Sequence, residues 1–276
     1  MKKACVIGWP IEHSRSPLIH GHWLKAYGID GAYTKVPVKP EDLNDFLKSL
    51  NANGFSGCNV TVPHKEDAFK LADAHHPSAT AVGAANTLWH GHGKLIAANT
   101  DTYGYMTYLG KRYPDWQAAN APVSILGAGG AARAIVFGFL KAGVSEVRIF
   151  NRSAERGNDL ARLFGVRVRA FDWEERSKAS ATSCVAVNTT TLGMKGDGDT
   201  GLDVSLLNPK CIVSDIVYVP LETALLARAR ARGLRTLDGL GMLLHQAVPG
   251  FETWFGITPE VTDTLFQLVA REIEAG

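Results

Sequence analysis

The chain has 276 residues, of which 46% are hydrophobic and 20% are charged, and its formal net charge is +2. A charge this close to zero argues against a nucleic-acid-binding surface, and no apolar run approaches the ~20 residues of a membrane helix. The apolar run at the N-terminus stops at Pro10, short of the roughly 7–15 residues of a secretory signal core. We therefore expect a cytoplasmic protein that binds neither nucleic acid nor membrane, and the length predicts two domains.

The four cysteines are far apart in sequence, and each lies in a short apolar run that is typical of a strand. This placement predicts reduced, buried thiols rather than a disulfide framework or a zinc site. The histidine pairs His20/His22 and His75/His76 do not match a known metal-site spacing, so no metal is expected.

Short apolar strands alternate with helix-like segments in the first third of the chain. Strands are predicted at 4–8, 32–38, 57–62, 85–90 and 95–99, and helices at 16–27, 41–50 and 65–74. Pro17 suits the first turn of the first helix, where its missing N–H is not needed. The alternation favours an α/β domain with a mainly parallel sheet.

A second alternating series follows the turn-rich residues 113–122. Strands are predicted at 123–126, 146–150, 166–170, 184–188 and 211–215, and helices at 131–142, 154–164, 240–255 and 259–275. Residues 195–201, rich in glycine and aspartate, predict a flexible loop. We expect a substrate-binding domain at 1–101 that 238–276 completes, a dinucleotide-binding domain at 102–237, and a ligand cleft between them.

The segment after the strand at 123–126 carries a glycine turn whose members are Gly127, Ala128, Gly129, Gly130, Ala131 and Ala132. It follows a strand and opens a helix, which is the context that a Rossmann-type dinucleotide fingerprint requires. Gly127 allows the tight turn, Gly129 lets the backbone approach the pyrophosphate, and Ala132 permits close packing of helix and strand. The free N–H groups at the start of the helix would bind the pyrophosphate.

The end of the second strand of this series distinguishes NAD from NADP. NAD sites place Asp or Glu there to bind the adenosine 2′-hydroxyl, whereas this chain has Asn151, Arg152 and Ser153, with Arg156 one turn further on. A guanidinium presents a donor fork that suits a 2′-phosphate. The pattern favours NADP, with simple exposed cations as the alternative.

Four polar motifs lie near predicted strand ends, at residues 8–17, 58–65, 83–87 and 99–104. Together they offer hydroxyls, carboxamides, an ammonium and a carboxylate. Such groups suit a small polyhydroxylated acid, because a site built from hydrogen-bonding groups rejects ligands that lack the matching hydroxyls.

With these motifs in view, the sequence closely resembles the shikimate dehydrogenase family over essentially its whole length. The resemblance rests on Gly-x-Pro-Ile-x-His-Ser-x-Ser-Pro (8–17), Asn-Val-Thr-x-Pro-His-Lys (59–65), Gly-Ala-x-Asn-Thr (83–87), Asn-Thr-Asp-x-x-Gly (99–104), Gly-Ala-Gly-Gly-Ala (127–131), Asn-Arg-Ser (151–153) and Asp-Gly-x-Gly-Met-Leu-x-x-Gln (238–246). Residues 188–194 also match a cofactor-side loop of the family, with Thr190-Thr191 as a mild variation.

The resemblance implies reversible reduction of 3-dehydroshikimate to shikimate with NADPH, in aromatic amino-acid biosynthesis. Lys65 and Asp101 would be the catalytic pair. The implied substrate contacts are Ser14, Ser16, Asn59, Thr61, Lys65, Asn86, Asp101, Tyr218 and Gln246. The implied cofactor contacts are Gly127, Ala128, Gly129, Gly130, Ala131, Asn151, Arg152, Ser153, Arg156, Thr189, Met194, Gly239 and Met242.

The chemistry of ketone reduction also favours Lys65 and Asp101. Hydride delivery leaves negative charge on oxygen, which must be stabilised and protonated, and an ammonium can do both. An ammonium is a poor base at neutral pH, so its environment must tune it or relay its proton; Asp101 is the natural partner. Which of the two gives up the proton stays open, as does an ordinary ion pair. Ser14 or Ser16 could instead cap the helix at Pro17.

Two other functions fit parts of the sequence. A quinate/shikimate enzyme would use NAD or accept an additional ring hydroxyl, and the Asn151–Arg152 pair argues against NAD. A non-catalytic dinucleotide or shikimate sensor on the same fold could lose its proton-transfer residues, whereas this chain retains both. The expected partner is a small molecule, and the protein is expected to be a monomer or a homodimer.

Overall fold

The computed structural model describes residues 1–275 and forms two compact units. The first unit consists of Met1–Thr102 with Leu244–Val269, and the second of Tyr103–Leu243 with residues from Ala270 onward. The first five residues of the helix at Gly239–Phe255 therefore group with the second unit, although the sequence suggested that they complete the first. The predicted α/β class with mainly parallel sheets is confirmed.

The first unit is built on a six-stranded sheet with the strand order β2-β1-β3-β5-β6-β4. Its strands are β1 Lys2–Gly8, β2 Gly31–Pro37, β3 Phe55–Val60, β4 Ala74–His75, β5 Thr87–Gly91 and β6 Lys94–Ala98. β1 lies between β2 and β3 and is parallel to both, whereas β5 is antiparallel to β3 and β6. β5 and β6 are joined by a tight hairpin in which Gly91 pairs with Lys94.

Helices cover both faces of the first sheet. They are α1 Ser16–Ala26, α2 Leu43–Ser49, α3 Lys65–Leu71, α4 Pro77–Val82 and the beginning of α5 Asp101–Arg112, with a short 3-10 turn at Pro40–Asp42. One face holds an apolar core that includes Cys5, Ile7, Cys58 and Val60. Pro17 lies in the first turn of α1, as the sequence predicted.

Gly57 in β3 makes room for a side chain from the C-terminal part of the first unit. A Cβ atom at Gly57 would lie 2.1 Å from Nε1 of Trp254, a contact that no real side chain could make. Trp254 belongs to α10 Gly239–Phe255, and its indole N–H donates to the Leu88 carbonyl at 3.1 Å. The indole thus occupies the space above a residue that has no side chain.

The second unit has a fully parallel sheet with the strand order β12-β11-β10-β7-β8-β9. Its strands are β7 Val123–Leu126, β8 Val147–Asn151, β9 Val168–Asp172, β10 Val185–Asn188, β11 Ile212–Asp215 and β12 Arg235–Leu237. This is the doubly wound order of dinucleotide-binding sheets, in which the chain reverses direction of growth between β7 and β10. Ligands bind such sheets at that point, outside the carboxyl ends of the strands.

The helices of the second unit lie between its strands. They are α6 Gly130–Lys141, α7 Ala154–Phe164, α8 Arg176–Ala179 and α9 Ala224–Ala231, with 3-10 turns at Trp173–Glu175, Met194–Gly196 and Val204–Leu206; the last helix of the chain is α11 Asp263–Ala275. The strands at 123–126 and the helix at 154–164 match their predicted bounds.

Six helices and strands were missed by the sequence prediction: α4, α5, α8, α9, β4 and β12. α5 contains Gly104 and Gly110, which weaken helix propensity. α9 has arginines at 228 and 230 and no clear apolar stripe, yet Leu225 and Leu226 are buried. A two-residue strand such as β4 exists only because β6 pairs with it.

All four cysteines are buried as free thiols, as expected. Within residues 1–275, no helix combines the length and apolar character needed to cross a membrane. Across the same residues, no group of three histidine, cysteine or acidic side chains could hold a metal ion.

Candidate active site

Lys65 and Asp101 form an ion pair in the first unit. Lys65 begins α3 and Asp101 begins α5, and the distance from Nζ to Oδ2 is 2.8 Å. The Asp101 side chain is only 10% exposed, whereas that of Lys65 is 32% exposed. The carboxylate is therefore shielded from water while the ammonium keeps a solvent-facing side, which a proton donor to a ligand needs.

Asn86 links this pair to its surroundings. Its Nδ2 lies 2.8 Å from Asp101 Oδ1 and 3.0 Å from Thr100 Oγ1, and its Oδ1 accepts from the Thr100 N–H at 2.8 Å. Gln246 Oε1, on α10, lies 3.4 Å from the same Nδ2. Because every member is hydrogen-bonded and most are buried, the network holds Asp101 in one orientation.

Asn59 lies at the carboxyl end of β3 and joins the same network. Its Nδ2 donates to the Asn86 carbonyl at 3.1 Å and lies 3.2 Å from Thr87 Oγ1. Thr61 follows two residues later, and its carbonyl accepts from the His64 N–H at 3.0 Å, which shapes the turn into α3. The motif residues of β3 and of 83–87 are thus brought together.

Ser14 and Ser16 lie at the start of α1, and neither is its N-cap residue. That position belongs to Arg15, which makes no side-chain capping bond. The Ser14 hydroxyl accepts a long hydrogen bond of 3.4 Å from the Ser16 N–H. The capping alternative is therefore wrong for Ser16 and weak for Ser14, and both hydroxyls stay candidates for a ligand.

The predicted substrate contact Tyr218 belongs to the second unit. It lies half-buried in the loop after β11. Its neighbour Asp215, at the end of β11, accepts hydrogen bonds from Asn188 Nδ2 at 2.9 Å, the Val217 N–H at 3.0 Å and the Thr223 hydroxyl at 2.8 Å. Burial raises the pKa of Asp215 to about 6.

The glycine turn has the geometry that a pyrophosphate site needs. Gly127 has a φ of +111°, and a Cβ there would lie 2.6 Å from Thr189 Oγ1, so only glycine fits. Gly129 precedes α6 with extended backbone, and a Cβ at Gly129 or Gly130 would meet nothing within 4 Å. The open space in front of the first N–H groups of α6 fits a bound pyrophosphate.

A surface cavity lies beside this turn. It is lined by Ala128, Arg133, Arg156, Asp159, Leu160 and Leu163. Ser153 caps α7 by accepting from the Arg156 N–H at 3.4 Å, and Asn151 Nδ2 donates to the Ser153 carbonyl at 2.9 Å. Arg152 lies over the ring of Trp173, 5.8 Å from its centroid. The two guanidinium groups of Arg133 and Arg156 in the cavity fit a phosphorylated ribose.

Three of the remaining cofactor candidates make contacts within the protein. The Thr189 hydroxyl donates to the Leu126 carbonyl at 2.6 Å, and Met242 packs against the core of the second unit. A Cβ at Gly239 would lie 2.3 Å from the Ile216 carbonyl oxygen, so this glycine is explained by packing. Met194 is 44% exposed and stays available to a ligand.

The sequence interpretation did not single out Arg133, Asn188, Asp215 or Tyr33. Arg133 lies just beyond the glycine turn, and a basic residue at that place in a helix was a signal that could have been used. Asn188 was part of a quoted motif but was given no role. Tyr33 and Asp215 had no local signal, because their contacts depend on which strands are neighbours.

A doubly wound sheet with a phosphate-binding turn, together with an ammonium–carboxylate pair in a hydrogen-bonded polar network, defines a dinucleotide-dependent oxidoreductase. Three family models match the chain: the shikimate dehydrogenase substrate binding domain at residues 6–88, shikimate / quinate 5-dehydrogenase at 109–191 and the shikimate 5′-dehydrogenase C-terminal domain at 239–264. The chain belongs to the shikimate dehydrogenase family.

Relatives match almost the full length. A protein of Brucella canis named shikimate dehydrogenase (NADP(+)) is 51% identical over 275 residues, covering 99% of this chain and 95% of its own. A shikimate 5-dehydrogenase structure from Thermus thermophilus, in complex with NADP(H) and shikimate, has a TM-score of 0.86 at 33% identity and covers 99% of this chain and 100% of its own. A quinate dehydrogenase from Corynebacterium glutamicum, in complex with NAD, has a TM-score of 0.90 at 29% identity, covering 98% and 99%.

Proposed function

We infer that this chain catalyses the reversible reduction of 3-dehydroshikimate to shikimate with NADPH, in aromatic amino-acid biosynthesis. The observation that carries the inference is the Lys65–Asp101 pair, whose Nζ and Oδ2 atoms lie 2.8 Å apart. It occurs in a chain that is 51% identical to a relative named shikimate dehydrogenase (NADP(+)). A chain that had kept only the fold, as a sensor, would have had no reason to retain this pair.

Lys65 is the proton donor in this proposal. Reduction of the ketone builds negative charge on the substrate oxygen, and the Lys65 ammonium both stabilises that charge and protonates it. Asp101 keeps the ammonium oriented, and Asn86 keeps Asp101 oriented. In the oxidation direction the same nitrogen takes the proton from the substrate hydroxyl.

The substrate contacts are proposed on the first unit, with one from the second. Ser14 and Ser16 are proposed to bind the carboxylate with Tyr218 nearby. Asn59, Thr61, Asn86, Asp101 and Gln246 are proposed to bind the ring hydroxyls. The close network of Asn59, Asn86 and Asp101 supports this grouping, because a site of fixed polar groups selects a ligand by its hydroxyl pattern.

The cofactor residues are proposed on the second unit. The first N–H groups of α6 would hold the pyrophosphate, while Arg152 and Arg156, joined by Arg133, would hold the 2′-phosphate. Bound NADPH supplies the hydride. The absence of an acidic side chain at the end of β8, where Asn151 stands, supports NADP over NAD.

A steady-state assay with shikimate and quinate, each with NADP and NAD, tests the function. We expect the highest kcat/KM with shikimate and NADP. A preference for quinate with NAD would make the chain a quinate dehydrogenase instead, and no turnover with any of the four pairs would support the sensor.

Two broader expectations belong to the same proposal. We propose a cytoplasmic location, which the four free thiols support because reducing compartments keep cysteines unpaired. We also propose a monomer or a homodimer, which sedimentation equilibrium of the purified protein distinguishes.

A further inference from the structure

Tyr33 lies in β2 and reaches over the neighbouring strand to Asn59. Its side chain shares a sheet face with Ala4 and Gly57, since Ala4 is in register with both Tyr33 and Gly57. Ala4 is small and Gly57 has no side chain, so the phenol can cross β1 on this face. Its hydroxyl donates to Asn59 Oδ1 at 2.5 Å, and Tyr33 is only 7% exposed.

Aromatic packing holds the Tyr33 ring in place. The His20 ring stacks on it with centroids 3.9 Å apart and planes 3° apart, and Trp254 lies 6.0 Å away. Burial lowers the pKa of His20 to about 3, so the stacked imidazole is neutral. The phenol therefore has little freedom to leave Asn59.

The Asn86 carbonyl can only accept, so it fixes the Nδ2 end of the Asn59 carboxamide, and the Tyr33 hydroxyl then holds the Oδ1 end in place. With Oδ1 facing the phenol, both hydrogens of Nδ2 face the Asn86 carbonyl and Thr87 Oγ1. A carboxamide oxygen has two lone pairs, and the phenol uses one. The second lone pair of Oδ1 is not used by the phenol.

We propose that Tyr33 is a positioning residue that holds Oδ1 of Asn59 in place as a hydrogen-bond acceptor for the substrate, so that the site selects a ring hydroxyl at that point. The proposal rests on the proposed function, because it takes Asn59 to be a substrate contact. Tyr33 touches no reacting atom and acts through Asn59, and its phenol also lies beside the Ser16 side chain.

The Tyr33→Phe variant tests the proposal because it removes the hydroxyl and keeps the stacked ring. We expect KM for shikimate to rise roughly three- to tenfold, the range that one neutral hydrogen bond gives. The values of kcat and of KM for NADP should stay within about twofold, since neither involves Asn59. Circular dichroism checks that the variant is folded.

Tyr113→Phe is the matched control. Tyr113 belongs to the second unit, and its hydroxyl donates to the Thr236 carbonyl at 2.9 Å. Both variants lose one phenol hydrogen bond to the protein, but only Tyr33→Phe should change KM for shikimate. Equal KM values in the two variants would overturn the proposal, as would an equal rise in KM for NADP.

A double-mutant cycle with Asn59→Ala separates positioning from general stability. In the Asn59→Ala background, Tyr33→Phe should leave KM for shikimate unchanged, because no carboxamide remains to be positioned. Additive effects would contradict the role. If the wild type neither binds nor oxidises shikimate, the proposed function fails; if it oxidises shikimate normally and the cycle shows no coupling, the Tyr33 inference alone fails.

Discussion

Both sheets carry a buried aspartate near the end of a strand, but the two carboxylates have different partners. Asp101, in the first unit, faces the Lys65 ammonium at 2.8 Å. Asp215, in the second unit, is 1% exposed, and its three donors are the neutral groups of Asn188, Val217 and Thr223. The first carboxylate has its charge compensated, whereas burial raises the pKa of the second to about 6.

This difference in partners gives Asp101 a chemical role and Asp215 a structural one. The pair of Asp101 with Lys65 can hold and release a proton next to a ligand. Asp215 instead ties together two loops, because Asn188 also donates to the Leu192 carbonyl and Thr223 caps α9. In the same unit, the Arg152 and Arg156 guanidinium groups have no ion-pair partner among residues 1–275, which suits them to a ligand phosphate.

Replacing Lys65 by alanine tests the chemical side of the comparison and should have the largest effect. We expect kcat to fall by roughly 10²- to 10⁴-fold, the usual contribution of a positioned proton donor. KM for shikimate should change far less, which initial-rate kinetics in both directions will measure. Lys70→Ala is the matched control on the same helix, since Lys70 is exposed and forms an ion pair with Asp67. Near-normal turnover of Lys65→Ala would show that the proton comes from another group.

The Asp215→Asn variant tests the architectural side through the pH dependence of stability. The pKa of Asp215 is raised from 3.8 to about 6 in the folded protein, so its ionisation costs folding free energy as pH rises between these values. Relative to Asp215→Asn, the wild type should lose roughly 2–3 kcal/mol of unfolding free energy between about pH 4 and pH 7. Urea titrations at several pH values measure this difference.

Asp203→Asn provides the opposite trend as a control. Hydrogen bonds from Ser205 lower the pKa of Asp203, so the wild type should gain stability over this variant as pH rises. A difference between wild type and Asp215→Asn that stays constant over the pH range would contradict the raised pKa of Asp215.

Arg152→Ala should have the smallest of the three effects. We expect KM for NADP to rise about tenfold, or about 1.4 kcal/mol, because a charge-assisted contact to the 2′-phosphate is lost. KM for NAD and kcat should change little. Arg169→Ala is the control, since Arg169 also lies over an aromatic ring, 5.2 Å from the Phe171 centroid. An equal effect of Arg152→Ala on NADP and NAD would exclude the 2′-phosphate as its partner.

The sequence predicted best what depends on residues close together in the chain. The glycine turn, the strand before it and the Asn151–Arg152 pair follow one another directly, so their placement could be inferred from order alone. The Lys65–Asp101 pair was anticipated from two separate motifs, and the structure brings them to 2.8 Å. Its catalytic role stays a prediction.

Contacts across strands could not be predicted in the same way. The Tyr33–Asn59 hydrogen bond exists because β1 alone separates β2 from β3, and the Asn188–Asp215 bond because β10 lies beside β11. Strand order is a property of the whole fold, and the residues themselves carry no local mark of it. The alternative that Ser14 or Ser16 caps α1 was wrong for a local reason, because α1 begins one residue later than a Ser14 cap requires and Arg15 is its N-cap residue.

The packing of Trp254 on Gly57 limits when the first unit can finish folding during synthesis. β3 leaves the ribosome early, whereas Trp254, which fills the space above Gly57, follows only after all of Tyr103–Leu243. Domains generally fold as units while the chain is made. The second unit can therefore fold before Trp254 is made, whereas the packing above Gly57 is completed only when that indole is available.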